Sequence, residues 1–247
     1  MDLKGKKVIL TGASSGIGLE LLYLLNKKGA IVLAVGLEDF TPNVLSVTYI
    51  KEDISTQEGV DKIFEKADKI LGDIDIFIAN AGFTYYEGAE KADWDKIDNI
   101  FNTNVKSPIY AFQKLKNIKG HKPFQFVVTA SAMSYMPLAG YALYSGTKHG
   151  LKGFFNAARY EIPRHQIITL IYPITTKTPF FKENMPIPFP AHSAKSVAKH
   201  YIKGIEKNKK HIFTSKMFYL DTYFNILQPL IQKREARQFR LWRERNK

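Results

Sequence analysis

Tyr144 and Lys148 stand four residues apart in a stretch of helical character, so one turn of helix stacks their side chains on the same face. An ammonium held beside a phenol favours the phenolate and draws the tyrosine down from its ordinary pKa of about 10, toward the range where it can exchange a proton with a substrate oxygen. Such a pair also occurs on ordinary exposed helices, so its weight depends on what surrounds it. Tyr141 and Ser134 are nearby alternatives, but Ser145 rather than lysine follows Tyr141 by four. His149 adjoins Lys148 yet points about 100° around the helix, a solvated or packed position. Far upstream, Thr11-Gly12-Ala13-Ser14-Ser15-Gly16-Ile17-Gly18 joins an aliphatic run to an amphipathic one. Glycines there permit a tight turn and close approach of the backbone to a pyrophosphate, which then sits on the positive N-terminal end of a helix. The six histidines show no metal-ligand spacing with carboxylates, and cysteine is absent. No metal, thiolate nucleophile or disulfide is expected.

The elements that must hold these residues follow from periodicity. Residues 6–10, 30–35, 47–50, 74–79, 124–129 and 167–172 are short apolar runs that read as strands. Residues 15–28, 56–71, 94–118 and 144–162 carry apolar side chains at helical spacing, and Pro108 should bend or break the third. This alternation predicts an α/β fold, a Rossmann-like doubly wound parallel sheet in three α/β/α layers. Beyond Pro173 the regularity weakens. Pro179, Pro186, Pro188 and Pro190 mark a loop near 179–192 that reads as a substrate lid, and Ser193 reads as the cap of a helix to about Lys207. Phe180, Phe181, Met185 and Phe189 on that loop point to an apolar substrate such as a lipid-derived ketone, a steroid-like compound or a hydroxyacyl chain.

Composition bounds the function classes. With 45% hydrophobic, 13% aromatic and 24% charged residues the chain reads as globular, and its N-terminal run leaves no room for a signal peptide. No apolar stretch approaches the length that spans a bilayer, so a cytoplasmic protein is expected. Residues 1–215 read as one domain. Residues 216–247 read as an aromatic and basic extension packed on that domain or at an interface. Of the net charge of +13, the segment 232–247 holds seven basic and two acidic residues. Helical spacing over 217–231, interrupted at Pro229, favours packing over the cleft or a partner subunit, with peripheral membrane contact as the alternative. No base-reading motif precedes this tail, and nucleic acid ranks last among partners.

The order of these segments resembles the short-chain dehydrogenase/reductase family. The glycine turn matches at Thr11, Gly12, Gly16 and Gly18, Asp53-Ile54 follows the third strand, Asn80-Ala81-Gly82 follows the fourth, and Ser131 ends the fifth, thirteen residues before Tyr144-Ser145-Gly146-Thr147-Lys148. The resemblance implies an NAD(P)-dependent oxidoreductase acting on a small-molecule carbonyl or alcohol. Its catalytic residues would be Asn104, Ser131, Tyr144 and Lys148. Ser131 would hold the substrate oxygen, Tyr144 would act as general acid or base, Lys148 would bind the nicotinamide ribose, and Asn104 would help anchor a water-mediated proton relay. Cofactor contacts would come from Gly12, Ser14, Ser15, Gly16, Ile17, Gly18, Asp53, Ile54, Asn80, Ala81, Gly82, Tyr144, Lys148 and Thr178. The family also implies a homo-dimer or tetramer through helices 94–118 and 144–162. Two departures stand out. Gly36 and Leu37 occupy the positions that usually discriminate the cofactors; without an acid there NADP is favoured over NAD, unless the nearby Glu38 reverses this. Ile174 replaces a glycine after the sixth strand, where a β-branched side chain resists positive φ. That second departure leaves a rival reading, a non-catalytic Rossmann-fold binding or regulatory protein.

Overall fold

Seven parallel strands run through the middle of the computed structural model, which describes residues 1–90, 93–181, 185–188 and 190–245. In chain order the strands are β1 (Lys7–Thr11), β2 (Ile31–Gly36), β3 (Val47–Lys51), β4 (Ile76–Ala79), β5 (Phe124–Thr129), β6 (Gln166–Tyr172), the short β7 (Thr176–Lys177) and β8 (His192–Ser193), and β9 (His211–Phe213). The central sheet has the order β3-β2-β1-β4-β5-β6-β9, and β7 pairs with β8 apart from it. The strand order reverses between β1 and β4, so their C-terminal ends open a crevice, the usual ligand position in such sheets. The helices are α1 (Gly16–Lys27), α2 (Gln57–Leu71), α3 (Trp94–Phe101), α4 (Ser107–Lys119), α5 (Ala142–Ala158), α6 (Ala194–Glu206), α7 (Lys216–Phe224) and α8 (Gln228–Arg245).

Strand alternation sorts the core into two layers. Ile9, Phe77 and Phe126 face α2, α4 and α5, whereas Leu10, Ile78 and Val127 face α1 and α6. A row of rings, Phe64, Phe77, Phe126 and Phe155, crosses the first layer with successive centroids 5.7, 5.1 and 5.6 Å apart. Ser193 caps α6 as expected, accepting from the Ser196 N–H at 3.2 Å.

Several boundaries differ from the sequence reading. The helix expected over 94–118 is α3, a π-helical turn at Asn102–Lys106, and α4. Pro108 lies in the first turn of α4, where its missing N–H is tolerated, and the wider turn before it absorbs the mismatch. Strand β9 was not expected, nor was the β7–β8 pair that frames the proline-rich loop. Pro229 starts α8 rather than interrupting a single helix, because Asn225 at φ 51° has already ended α7. Part of the expected lid, including Phe189, lies outside the described residues. The C-terminal helices fold back on the chain: Trp242 meets Tyr86 with ring centroids 4.8 Å apart, Arg243 pairs with Glu90, and Gln232 donates to the Pro137 carbonyl. Among the described residues no helix is long and apolar enough to cross a membrane.

Candidate active site

The crevice holds a cavity of about 730 Å³ at the C-terminal ends of β1, β4, β5 and β6, within the usual range of small-molecule sites. Every expected site residue except Asn104 lines it, so one continuous cleft runs from the glycine turn to Ser131, Tyr144 and Lys148.

At one end the β1–α1 turn is shaped by its neighbours. Gly12 adopts φ +67°, and a Cβ there would stand 2.8 Å from the Ala81 Cα. A Cβ on Gly18 would fall into the Gly12 carbonyl oxygen, so the third glycine lets α1 start directly against the turn. Thr11 and Asn80 lock this turn to the next strands. The Thr11 hydroxyl accepts from the N–H groups of Asn80 and Ala81 at 3.1 and 3.2 Å, and the Asn80 amide donates to the Thr11 and Gly12 carbonyls at 3.1 and 3.2 Å. Ser15, the N-cap of α1, makes no capping bond, leaving the first N–H groups of the helix facing the cleft beside Gly16 and Ile17. Such open N–H groups form an anion site.

Further along, Gly36 is explained by a side chain from β3. The Tyr49 hydroxyl occupies the space a Cβ would need and donates to the Glu38 carbonyl at 2.6 Å. Glu38, Glu52 and Asp53 line the cavity there, and the nearby Lys51 is paired with Asp39 at 2.7 Å. One oxygen of Asp53 accepts from the Ser55 N–H at 2.8 Å, and Ile54 is buried beside it.

At the other end Ser131 leaves β5 and caps a 3-10 turn, accepting from the Met133 N–H at 3.1 Å, and its hydroxyl is the neighbour that favours the Tyr144 phenolate. Lys148 donates to the Thr129 carbonyl at 2.8 Å, and its Nζ lies 5.4 Å from the centre of the Tyr144 ring. Burial decides the ionisation of both. It pushes Tyr144 up to about 12 against the opposing effect of Ser131, and pulls Lys148 down to about 7. The expectation that the lysine lowers the tyrosine is therefore not met in the free protein, since a desolvated lysine holds its charge poorly near neutral pH.

Asn104 sits in the π-helical turn, only 1% exposed, away from the cavity wall. Its amide oxygen accepts from the Phe83 N–H at 3.1 Å, while its amide nitrogen donates to the Phe83 carbonyl at 2.9 Å and to Thr147 at 3.3 Å. It thereby ties the Asn80-Ala81-Gly82 segment to α5. Pro108 lacks the N–H that a regular helix would bring to the Asn104 carbonyl. Thr178 lies against Gly16, whose Cβ would stand 3.1 Å from it. Ile174 carries no positive φ; its N–H donates to Thr214 at 3.1 Å and its side chain forms part of the cavity wall. The strain expected at this position is absent. Tyr141 is committed elsewhere, donating to the Pro186 carbonyl at 2.9 Å, and His149 is exposed with its ring against the Ser145 carbonyl.

Sequence reasoning missed Thr129, whose carbonyl holds Lys148 and whose hydroxyl donates to Asn80 at 3.3 Å and accepts from Tyr201 at 3.0 Å. Its place at the end of β5 was the available signal; Tyr201, on α6, offered none. Asp221 was also missed. It is 5% exposed on the cavity wall, with one oxygen accepting from the Leu227 N–H at 2.7 Å and the other without a hydrogen-bond partner among the described residues.

The family model for short chain dehydrogenases matches residues 6–186. A 1,2-dihydroxy-1,2-dihydronaphthalene dehydrogenase of Ralstonia is 31% identical over 187 residues, 69% of this chain and 70% of that protein. Among solved structures, a short chain dehydrogenase of Burkholderia cenocepacia in complex with NADP superposes with TM-score 0.79 at 19% identity, covering 95% of this chain and 99% of that one. A short chain dehydrogenase/reductase of Burkholderia phymatum in complex with NAD gives TM-score 0.79 at 15% identity, covering 90% and 93%. With most of its length matched by the family model and its seven-stranded sheet shared with these structures, the chain belongs to the short chain dehydrogenase family of oxidoreductases.

Proposed function

We propose that the protein transfers a hydride between a nicotinamide dinucleotide and a carbonyl or alcohol carbon, with Tyr144 giving or taking the proton. The observation that carries this is the single cleft joining an open helix N-terminus and glycine turn to Ser131, Tyr144 and Lys148. A dinucleotide fits that shape: Gly12, Ser14, Ser15, Gly16, Ile17 and Gly18 would hold the pyrophosphate, Asp53 and Ile54 the adenine, Asn80, Ala81 and Gly82 the middle, and Thr178 the carboxamide. The bound nicotinamide supplies or accepts the hydride. Lys148 would bind the ribose hydroxyls as an ammonium. Its charge beside the Tyr144 ring then lowers the phenol from its value in the free protein. Ser131 would fix the substrate oxygen against Tyr144, and Asn104 would position the loop and, through its carbonyl, a relay water.

Of the two cofactors we favour NAD, reversing the preference read from Gly36 and Leu37. Glu38 and Asp53 line the adenosine end beside Glu52, which is paired with Lys66 at 3.2 Å, and the nearby Lys51 is already paired with Asp39. A 2′-phosphate would meet repulsion there. The substrate would be largely apolar, given Met133, Leu138, Phe180, Phe181 and Phe218 on the wall, with a hydroxyl or amine donor for the unpartnered Asp221 oxygen. We place residues 1–215 in one catalytic domain with a lid near 179–192, and expect a cytoplasmic dimer or tetramer through α3–α4 and α5. Titration with NADH and NADPH, followed by assays of ketone reduction by the wild type and Tyr144→Phe, tests the reading. Tyr144→Phe should cut kcat by about 10² or more while dinucleotide affinity stays within about twofold. Failure to bind either dinucleotide, or full activity in the variant, would overturn it.

A further inference from the structure

Helix α7 walls two cavities with different faces. Phe218 and Asp221 line the cleft described above, while Lys216, Tyr219, Thr222 and Tyr223 line a second cavity of about 670 Å³ between α6, β9 and α7. Lys203, Lys207, Lys209 and Lys216 line this second cavity and no carboxylate does. None of the four has an ion pair among the described residues. Its aromatic wall includes Phe213, Tyr219 and Tyr223, with successive ring centroids 4.9 and 5.4 Å apart.

The solvent side of α7 is apolar where a surface helix is ordinarily polar. Met217, Leu220, Tyr223, Phe224, Ile226 and Leu230 are each more than half exposed, and 217, 220 and 224 share one helix face. Met217 also lines the main cleft, so this apolar surface borders the mouth of that cleft. On α8, Lys233, Arg237 and Arg240 recur at helical spacing and are all exposed. The charge of the chain is divided to match. Residues 1–100 hold 11 basic and 17 acidic side chains, whereas residues 101–247 hold 25 and 6.

We propose that this face docks on an anionic lipid bilayer. Lipid phosphates enter the lysine-lined cavity, while Leu220, Phe224 and Ile226 enter the boundary between headgroups and acyl chains, with Tyr219 and Tyr223 at headgroup level. Amphipathic helices that bind in the plane of a membrane combine these same two features, an apolar face and flanking cations. A second copy of the chain fits less well, because a two-fold contact at this face would set unpaired lysines near their own equivalents. Nucleic acid would satisfy the lysines and leave the apolar side chains in water. Docking does not depend on the oxidoreductase reading, and its test uses neither cofactor nor substrate.

The full-length protein is sedimented with phosphatidylcholine vesicles and with vesicles of phosphatidylcholine and phosphatidylglycerol. Binding to the anionic vesicles alone is expected, weakened by salt. Lys207→Gln with Lys209→Gln should lower partition about 25-fold, at roughly fivefold per cation. Leu220→Ser with Phe224→Ser should lower it further at high salt, where the apolar contribution dominates. Retention of the circular dichroism spectrum and of the melting temperature shows that each variant folds. Absence of binding to anionic vesicles overturns the proposal, as does equal binding to neutral ones or indifference to both pairs of substitutions. If instead the serine pair splits a stable oligomer and leaves vesicle binding unchanged, the face belongs to a second copy. If DNA displaces the protein from vesicles and only the lysine pair matters, the face is an indiscriminate polyanion site. Either result also overturns it.

Discussion

Lys148→Met should make the cofactor-free protein more stable while removing its activity. The Lys148 side chain is 3% exposed, and burial brings its pKa from the ordinary 10.5 down to about 7. The unfolded chain therefore binds one more proton than the folded chain over most of the interval between these values, and stability rises with pH across it. At pH 7, with the folded lysine half protonated, the cost is about 4 kcal/mol at 1.36 kcal/mol per pH unit. Methionine has similar length and no charge to desolvate. It leaves the Thr129 carbonyl without its donor, which costs about 1–3 kcal/mol. The balance favours the variant by about 1–3 kcal/mol at pH 7. Raising the pH to about 9.5 should return about 3 kcal/mol to the wild type and almost nothing to the variant from this site. Urea unfolding of both proteins without cofactor, followed by circular dichroism at the two pH values, measures both quantities. A variant less stable than the wild type at pH 7, or parallel pH dependences, would refute the claim that burial of this lysine controls its charge.

Gly18→Ala should weaken dinucleotide binding at least tenfold in a fluorescence titration, since the new methyl meets the Gly12 carbonyl and the Asn80 amide at the turn proposed to hold the pyrophosphate. Glu38→Arg should raise affinity for NADPH relative to NADH by an order of magnitude or more, by exchanging a carboxylate at the cavity rim for a phosphate partner; an unchanged ratio would show that Glu38 does not face the ribose. Trp242→Ala removes ring contacts to Tyr86 and Phe239 at 4.8 and 6.0 Å and should cost about 2–3 kcal/mol in urea unfolding, because the indole is only partly buried.

The strands were legible because each is a short apolar run bounded by turn residues, and the glycine turn because its residues are contiguous. What stayed hidden depends on distant partners. Gly36 reads as a loss of cofactor discrimination until Tyr49, on the neighbouring strand, is seen to fill its space. Ile174 reads as strained only under the assumption that its position requires positive φ, and the Thr214 hydroxyl fixes a backbone that does not. Strand β9 has three residues, too few for alternation to register, and exists because β6 presents an edge for it. The helical spacing around Asn104 is continuous, so periodicity cannot reveal the π-helical turn; Pro108 was the one residue that marked the break. The ionisation of Tyr144 and Lys148 was misjudged for a similar reason, since four-residue spacing brings the groups together without saying how much water reaches them.

The division between shared and particular parts of the molecule falls across the cleft. Residues 6–186, the span matched by the family model, contain the glycine turn, Ser131, Tyr144 and Lys148. Phe218, Asp221, Leu227 and Ile231 line the same cleft from outside that span. An aromatic chain connects the two parts: Trp242 on α8 packs on Tyr86, Tyr86 on Tyr141 with centroids 4.8 Å apart, and Tyr141 on Phe181 at 6.3 Å. Tyr141 is also the residue that bonds the proline-rich loop through Pro186. A change on α8 therefore reaches Phe181 through three ring contacts, and from there Tyr144 itself, since Phe181 packs on Phe180 at 5.3 Å and Phe180 on Tyr144 at 5.4 Å. The C-terminal helices, outside the span matched by the family model, are thereby coupled by ring packing to Tyr144, so Trp242→Ala should disturb the packing beside Tyr144 as well as the stability of α8.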